Sequence, residues 1–495
     1  MQGDGNLVVY EYFNSGGRTA LWATGTDGNP GARAVMQGDG NLVVYRKDNR
    51  PIWASNTNGN PGSHLAMQDD GNLVVYRPDR RPIWASNRFL SYRKLPFSPS
   101  QHGFRFPNAF VNVVANLPGF GEIKTGGRCG GMAYAAADFY LSGRPVPPWE
   151  QSVFAPGAVP PDGNWLADYI YRRLFDSFAT PSAVKFGTWM QLSDHATWVN
   201  KGVTRLTKED EFTRLRRIID AGKPAVLGLI TAGNISAIAK NHQVLAYGYE
   251  HDRSTGRITV YVYDNNSVGK EVTLCSERSQ KDWTASNRSE PWRGWFVQDY
   301  AHRQPPLTST RPAATGTVVT YGSTVKLSHL WTGYTLHSHA FNYGHTGSSR
   351  QQQVTCFDGN DDNDLWRIKG PHGQPDSSKS GQPVTHGDVV RLEHVATRRN
   401  LHSHSGHPSP VTRQQEVTCF GANGLGDGND DWRLEVDGGG TWTSSQRIRL
   451  VHVPTNHTLH SHRNASHKDW TRGQQEVTGF GGRDNNDWWA LLEKR

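Results

Sequence analysis

Three residues in the middle of this chain have the chemistry of an activated thiol. Cys129 lies in RCGGMAYAA, His242 in NHQVLAYGYE and Asp264 in VYVYDNN. A thiol becomes a nucleophile when its pKa falls, a base takes its proton and N–H donors await the developing oxyanion. Cysteine first, then histidine, then an acid or amide is an order in which such a group is assembled from separate elements. Asp264 is the expected orienting group for the imidazole, with Asn265 and Asn266 as alternatives.

The elements that must position them can be read from the pattern. Gly126 and Gly127 permit a sharp turn, and a helix beginning near Cys129 would bury Met132, Ala133, Ala136 and Tyr140. Its N-terminus would supply free N–H groups and the positive end of the helix dipole. Gly130 and Gly131 lower helix propensity but would let a substrate approach the backbone. NHQVLAYGYE and ITVYVY read as strands, the first with His242, Val244 and Ala246 on one face. NWLADYIYRRLFDSF has Leu166, Ile170, Leu174 and Phe178 at helical spacing. In TKEDEFTRLRRIIDAGKP a helix would start at a Thr207/Asp210 cap, bury Phe212, Leu215 and Ile219, and stop at Gly222 before Pro224. Cys275 lacks a helix-start context and reads as a buried thiol.

RCGGMAYAA, GKPAVLGLI, NHQVLAYGYE and VYVYDNN together resemble the papain-like cysteine peptidase superfamily over about residues 97–303. The resemblance implies an α+β unit with Cys129 as nucleophile, His242 as general base and a peptide or protein substrate. One departure stands out. GEIKTGGR carries no glutamine upstream of the cysteine, so the backbone N–H of Cys129 is left as one oxyanion donor and the second is unassigned.

The flanks repeat, and repeats organise the rest of the chain. Residues 1–87 contain QGDGNLVVY from Gln2, QGDGNLVVY from Gln37 and QDDGNLVVY from Gln68, each followed by a Trp-containing strand. Strand alternation would put Gln2, Asp4, Asn6, Val8 and Tyr10 on one face. The same holds for Gln37, Asp39, Asn41, Val43, Tyr45 and for Gln68, Asp70, Asn72, Val74, Tyr76. Amides, a carboxylate, a phenol and a small apolar patch suit a hydroxyl-rich ligand. The QxDxNxVxY motif resembles the bulb-type (monocot mannose-binding) lectin family, which implies a β-prism with three mannose sites. RAVM and HLAM precede copies two and three, whereas copy one begins at Met1 without such a leading strand.

Residues 317–495 repeat KLSHLWTGYTLHSH, RLEHVATRRNLHSH and RLVHVPTNHTLHSH, each continuing to an Asn-Asp-x-Trp tetrad. Three all-β units of this kind predict a pseudo-threefold β-trefoil, and they resemble MIR-domain repeats. The resemblance implies a carbohydrate- or protein-binding module. The pairs His337/His339, His402/His404 and His460/His462, and the acidic run DGNDDND, have metal-ligand residue types. Their threefold repetition reads as packing and turn chemistry, and no metal or other cofactor is expected. Cys356 and Cys419 occupy equivalent positions, with Gly479 in the third copy, and read as small packing residues.

The chain is therefore read as multidomain: an all-β prism (1–87), a linker (88–96), an α+β unit (97–303), a linker (304–316) and an all-β trefoil (317–495). Four cysteines in 495 residues do not form a disulfide framework, and the net charge of +8 is spread rather than clustered, which argues against nucleic acid. No apolar run is long enough to span a bilayer. The expected function is a carbohydrate-targeted cysteine peptidase (a thiol amide hydrolase), secreted or at a cell surface and held on mannose-containing glycans. The alternative is a non-enzymatic lectin, adhesin or lectin-type toxin with an inactive central scaffold.

Overall fold

The computed structural model describes the chain except for residues 13–17, 69–70, 87–89, 118–120, 197–200, 232–239, 253–254 and 307–312. It is mostly β, with helices confined to the central part apart from single 3-10 turns.

Each N-terminal repeat forms its own small antiparallel sheet. Val8–Tyr12 pairs with Arg18–Ala23; Arg33–Met36, Leu42–Tyr45 and Pro51–Ala54 make the second sheet; His64–Met67, Leu73–Tyr76 and Pro82–Ala85 make the third. Trp22, Trp53 and Trp84 meet edge to face, every pair with ring centroids 5.4 Å apart, so an aromatic triangle marks the pseudo-threefold axis. The strands begin later than alternation suggests. In copy two the Gln37 N–H donates to the Asn41 carbonyl and the Gly40 N–H to the Gln37 carbonyl, so Gln-x-Asp-x-Asn is a tight turn before the strand. Gly40 has φ +92°, and a Cβ there would lie 2.1 Å from the Asn60 carbonyl oxygen.

The central unit is built on a seven-stranded antiparallel sheet. Along it run Thr284–Ala285, Val272–Ser276, Arg257–Tyr263, His242–Asp252, Ala225–Ile230 and Gly294–Val297, and Leu90–Lys94 adds to the far half of His242–Asp252. The helix Cys129–Leu141 lies against this sheet, and every residue from Gly130 to Phe139 is buried. The helix Trp165–Phe178 packs on it in turn, capped by the Asn164 side chain, which accepts from the Leu166 N–H.

Two expectations for the helices are corrected. Leu166 and Ile170 are buried as expected, but Phe178 is 52% exposed, while Arg173 is 2% exposed. The guanidinium takes the inner face because buried Asp138 receives its Nε at 2.7 Å and its Nη2 at 3.2 Å, together with the hydroxyls of Tyr169 and Tyr300. Nor does Thr207 cap a helix. The helical path starts at Gly202, runs through a wider π turn over Leu206–Glu211 and continues as Phe212–Asp220, and buried Thr207 accepts from the Trp295 N–H. Phe212, Leu215 and Ile219 are buried and Gly222 turns the chain with φ +80°, as expected.

The expected linkers are partly ordered. Within 88–96, Leu90–Lys94 is a strand of the central sheet. Within 304–316, the Pro305 carbonyl accepts from Arg144 at 2.6 Å and the Ala313 N–H donates to Leu492.

The C-terminal part is a β-trefoil whose first strand, Thr324–His329, pairs with its last, Trp489–Lys494. Trp366, Trp432 and Trp489 are fully buried, and their indole N–H groups donate to Leu336, Leu401 and Leu459 at 2.9–3.0 Å. The repeated tetrad tryptophan and the leucine of LHSH are thus one interaction made three times.

Candidate functional site

Cys129 opens its helix directly after the turn at Gly127, whose φ is +81°. His242 is the first residue of the strand His242–Asp252, and Asp264 follows the neighbouring strand Arg257–Tyr263. The antiparallel pairing of these strands brings the His242 ring and the Asp264 carboxylate together, with Nε2 2.8 Å from Oδ1. The imidazole is also coupled to the Cys129 thiol, so one ring links the thiol to the carboxylate. Burial alone would raise the Cys129 thiol. The hydrogen bond and charge of His242, with backbone N–H groups of Gln243 and Gly130, overcome burial and hold it below its usual value. Burial alone would lower His242, but its bonds to Asp264 and Cys129 raise it to about 10. Burial would likewise raise Asp264, yet His242, the Asn266 N–H and the Asn287 amide hold it below the usual carboxylate value. The arrangement suits a thiolate beside an imidazolium.

The alternatives divide into separate tasks. Asn266 lies 3.4 Å from His242 Nε2 through its amide, and its N–H donates to Asp264 at 2.9 Å. Asn265 does not face the imidazole: its Nδ2 donates to the carbonyls of Cys129 (3.1 Å) and Gln243 (3.2 Å), tying the helix start to the histidine strand. Three participants escaped the sequence reading. Gln243 lends its backbone N–H to the thiolate, Asn287 Nδ2 donates to Asp264 Oδ2 at 2.7 Å, and Trp292 lies parallel to the His242 ring with centroids 6.2 Å apart. Gln243 was detectable as the neighbour of His242, whereas nothing in the local pattern flags Asn287 or Trp292. The glycines after Cys129 also have a different role from the one expected. A Cβ at Gly130 would lie 2.2 Å from Gln243 Oε1, and one at Gly131 2.0 Å from the Ile170 carbonyl oxygen, so both allow close packing rather than substrate approach. Cys275 is half-buried rather than buried.

In the N-terminal repeats the motif residues gather, but not along a strand face. Gln37 donates to the Tyr45 hydroxyl at 2.7 Å and Gln68 to Tyr76 at 2.7 Å, and Gln2 pairs with Tyr10 in the same way. Asp4 and Asp39 are exposed, and each accepts from the N–H of its Asn two residues on. Asp70 lies outside the described residues. Asn6, Asn41 and Asn72 turn their carbonyl oxygens inward to Thr24, Ser55 and Ser86. Val8 is half-buried, but Val43 and Val74 are 3% and 2% exposed, so the expected apolar patch is closed in the second and third copies.

In the trefoil the first histidine of each pair is buried on an aspartate: His337 on Asp364 (2.8 Å), His402 on Asp430 (2.9 Å) and His460 on Asp487 (2.8 Å). Those aspartates close capping boxes with Asp361, Asp427 and Asp484. Their acceptor atoms are taken up by backbone N–H groups and imidazoles, which makes these clusters cap chemistry. Cys356 and Cys419 are free, buried thiols, each pushed up to about 12 by burial.

The MIR domain family model matches residues 341–479. A stromal cell-derived factor 2-like protein of Dictyostelium discoideum is 45% identical over 179 residues, covering 36% of this chain and 83% of that protein. The chain belongs to the MIR-domain family of stromal cell-derived factor 2-like proteins. Protein O-mannosyl-transferase 2 of Drosophila melanogaster is 42% identical over 181 residues, 35% of this chain and 23% of the transferase. Among solved structures, the SDF2-like protein from Arabidopsis thaliana shares 40% identity over 36% of this chain and 97% of its own, with a TM-score of 0.34. A monocot mannose-binding lectin from Gastrodia elata shares 45% identity over 17% of this chain and 74% of its own, with a TM-score of 0.16.

These relatives overturn the expected function. Stromal cell-derived factor 2-like proteins and protein O-mannosyl-transferases are the relatives that match at high identity, and the reading as a carbohydrate-targeted cysteine peptidase is withdrawn. The peptide or protein substrate goes with it. Among the described residues no helix is long and apolar enough to cross a membrane.

Proposed function

We propose that this chain is a glycan-binding protein whose N-terminal repeats take mannose-type glycans and whose MIR trefoil adds a second contact. Its place of action is the secretory route or the cell surface. The observation that carries the reading is the Gln–Tyr pair, made in all three copies, with an exposed aspartate beside it in the first two. An amide and a carboxylate from the turn, with a phenol from the strand that follows, offer the mixed donors and acceptors that sugar hydroxyls require. Linked sites of modest affinity hold a multivalent surface tightly through effective concentration. The units are assigned as 1–87, 97–303 and 317–495, with Leu90–Lys94 given to the central sheet. The test is binding to immobilised mannose oligosaccharides by the full chain and by Gln37→Ala/Gln68→Ala. Losing two hydrogen-bonding amides is expected to weaken binding by about tenfold or more while the melting temperature holds. An unchanged mannose signal would refute the assignment.

A second reading rests on the imidazole shared by Cys129 and Asp264. We infer that Cys129 is a nucleophilic thiolate, His242 its proton acceptor and Asp264 the orienting carboxylate. This concerns the reactivity of the thiol and carries no peptidase assignment.

A further inference from the structure

The trefoil's first hairpin departs from its siblings where the central unit touches it. The equivalent segments read HLWTGYT (329–335), HVATRRN (394–400) and HVPTNHT (452–458). Gly333 stands where the other copies have Arg398 and Asn456, and a Cβ at 333 would lie 2.4 Å from Trp165 Cδ1. Trp165 seats there: its indole N–H donates to the Gly333 carbonyl at 2.9 Å and its backbone N–H to Thr332 at 3.0 Å, and Asn164 Nδ2 donates to Leu330 at 2.9 Å. The docked seam fixes the start of the helix Trp165–Phe178 against the trefoil.

Beside the seam opens a cleft of about 540 Å³, walled by Tyr171, Asp168 and Arg172 of the helix and by Tyr334, Arg463 and Gln475 of the trefoil. That volume holds a small saccharide. Tyr334 replaces Arg399 and His457 of the other copies, so a phenol stands at this position in the hairpin that faces the helix. The one carboxylate among the lining residues, Asp168, is already engaged. Asp168 receives the Gly163 N–H at 3.2 Å and Arg463 at 3.3 Å. Gln475 donates its amide to Ser461 at 2.6 Å. The donors are not. Arg172 is exposed and its side chain makes no hydrogen bond or ion pair among the described residues, and the Arg463 side chain is 56% exposed and pairs with Asp168. Two guanidiniums against one carboxylate leave the cleft positive, and planar guanidinium forks match carboxylate and sulfate groups.

We propose that this interdomain cleft binds an anionic saccharide, its acidic group held by Arg172 and Arg463 and its ring lying on Tyr334. The site is separate from the N-terminal repeats and takes a charged rather than a neutral sugar.

The test is titration of the full chain with a hexuronate disaccharide and with a sulfated disaccharide, followed by tryptophan fluorescence. A neutral disaccharide, acetate and sulfate serve as controls. At least one anionic sugar is expected to bind, more weakly as salt rises. Arg172→Gln and Arg463→Gln should each weaken it by about tenfold, the loss of one charge-assisted contact, and both side chains are exposed enough that folding is spared. Tyr334→Ala should weaken the sugar and leave the response to simple anions unchanged. Equal binding of the neutral disaccharide, equal binding of acetate or sulfate, or indifference to both arginine substitutions would overturn the proposal. Mannose binding measured on the same samples reports separately on the N-terminal repeats.

Discussion

Replacing Asp264 by alanine should slow alkylation of Cys129 by about ten- to a hundredfold near pH 6. The magnitude follows from what holds the imidazole charged. His242 sits at about 10, against an ordinary 6.5: burial alone would push it down, and the Asp264 hydrogen bond does most to raise it. A hydrogen bond to a charged group is worth roughly 1.5–3 kcal/mol, or about ten- to more than a hundredfold in the population of the pair. Without Asp264 the buried imidazole reverts toward neutrality, the thiol loses its cation, and only the N–H groups of Gly130 and Gln243 remain to favour the thiolate. The assay is iodoacetamide labelling from pH 5 to 9, resolved by residue in a mass spectrometer. Cys356 and Cys419, buried and raised to about 12, should stay unlabelled in the folded chain, and Cys275 gives an internal comparison. In the unsubstituted chain the rate at Cys129 should reach its plateau below the ordinary thiol value of about 8.5. Each unit of lowering gains tenfold in thiolate and loses roughly threefold in intrinsic nucleophilicity, a net gain of about threefold on the acid side. The imidazolium partner persists until pH passes about 10. A midpoint at or above 8.5, or a profile indifferent to Asp264→Ala, would refute the thiolate–imidazolium pair.

Gly131→Ala should destabilise the central unit by about 1–3 kcal/mol, because the new Cβ would meet the Ile170 carbonyl oxygen at 2.0 Å and backbone cannot step aside. Gly187→Ala, in the helix Pro181–Gln191 with nothing within 4 Å, should instead stabilise by about 0.5–1 kcal/mol. Chemical denaturation of the two variants therefore reads opposite signs, and a stabilised Gly131→Ala would show that helix propensity rather than packing governs position 131. The trefoil should weaken in acid. Burial lowers His329 to about 3 and His394 and His452 to about 4, so the unfolded chain binds more protons once pH drops below about 6.5. Stability is thus full above 6.5 and declines toward pH 4, by up to about 3 kcal/mol per histidine, and a melting temperature flat between pH 7 and 4 would contradict the burial of these rings.

What was legible in the sequence was whatever is repeated or local. The trefoil could be read because Leu336, Leu401 and Leu459 meet Trp366, Trp432 and Trp489 in the same way three times. The helix at Cys129 could be read from a glycine turn and a run of small residues, and His242 and Asp264 from two strands that pair. What escaped depends on partners distant in sequence. Arg173 is an inner residue only because Asp138 waits on another helix, and Thr207 is an inner hydroxyl only because the strand carrying Trp295 packs across it. Alternation failed at Gln37, Asp39 and Asn41 because a glycine with positive φ folds them into a turn before the pleat begins. The peptidase reading failed differently: residue order can suggest a reactive group, but the reaction belongs to the company a chain keeps, and here that is MIR-domain proteins.

The short strand Leu90–Lys94 gives the molecule a mechanical property. It is the path by which the N-terminal repeats join the rest of the chain, and it is hydrogen-bonded along Gly248–Asp252, the far half of the strand that begins at His242. If the repeats hold a surface while flow or a moving partner drags on the remainder, the tension is carried by the backbone hydrogen bonds of that five-residue pairing. The load enters the central sheet at the end of the strand remote from His242. Peeling Leu90–Lys94 away would lengthen the tether by several residues while leaving the pairing of His242 with the neighbouring strands in place, so the edge strand can act as a yielding link that gives before the thiol site is disturbed.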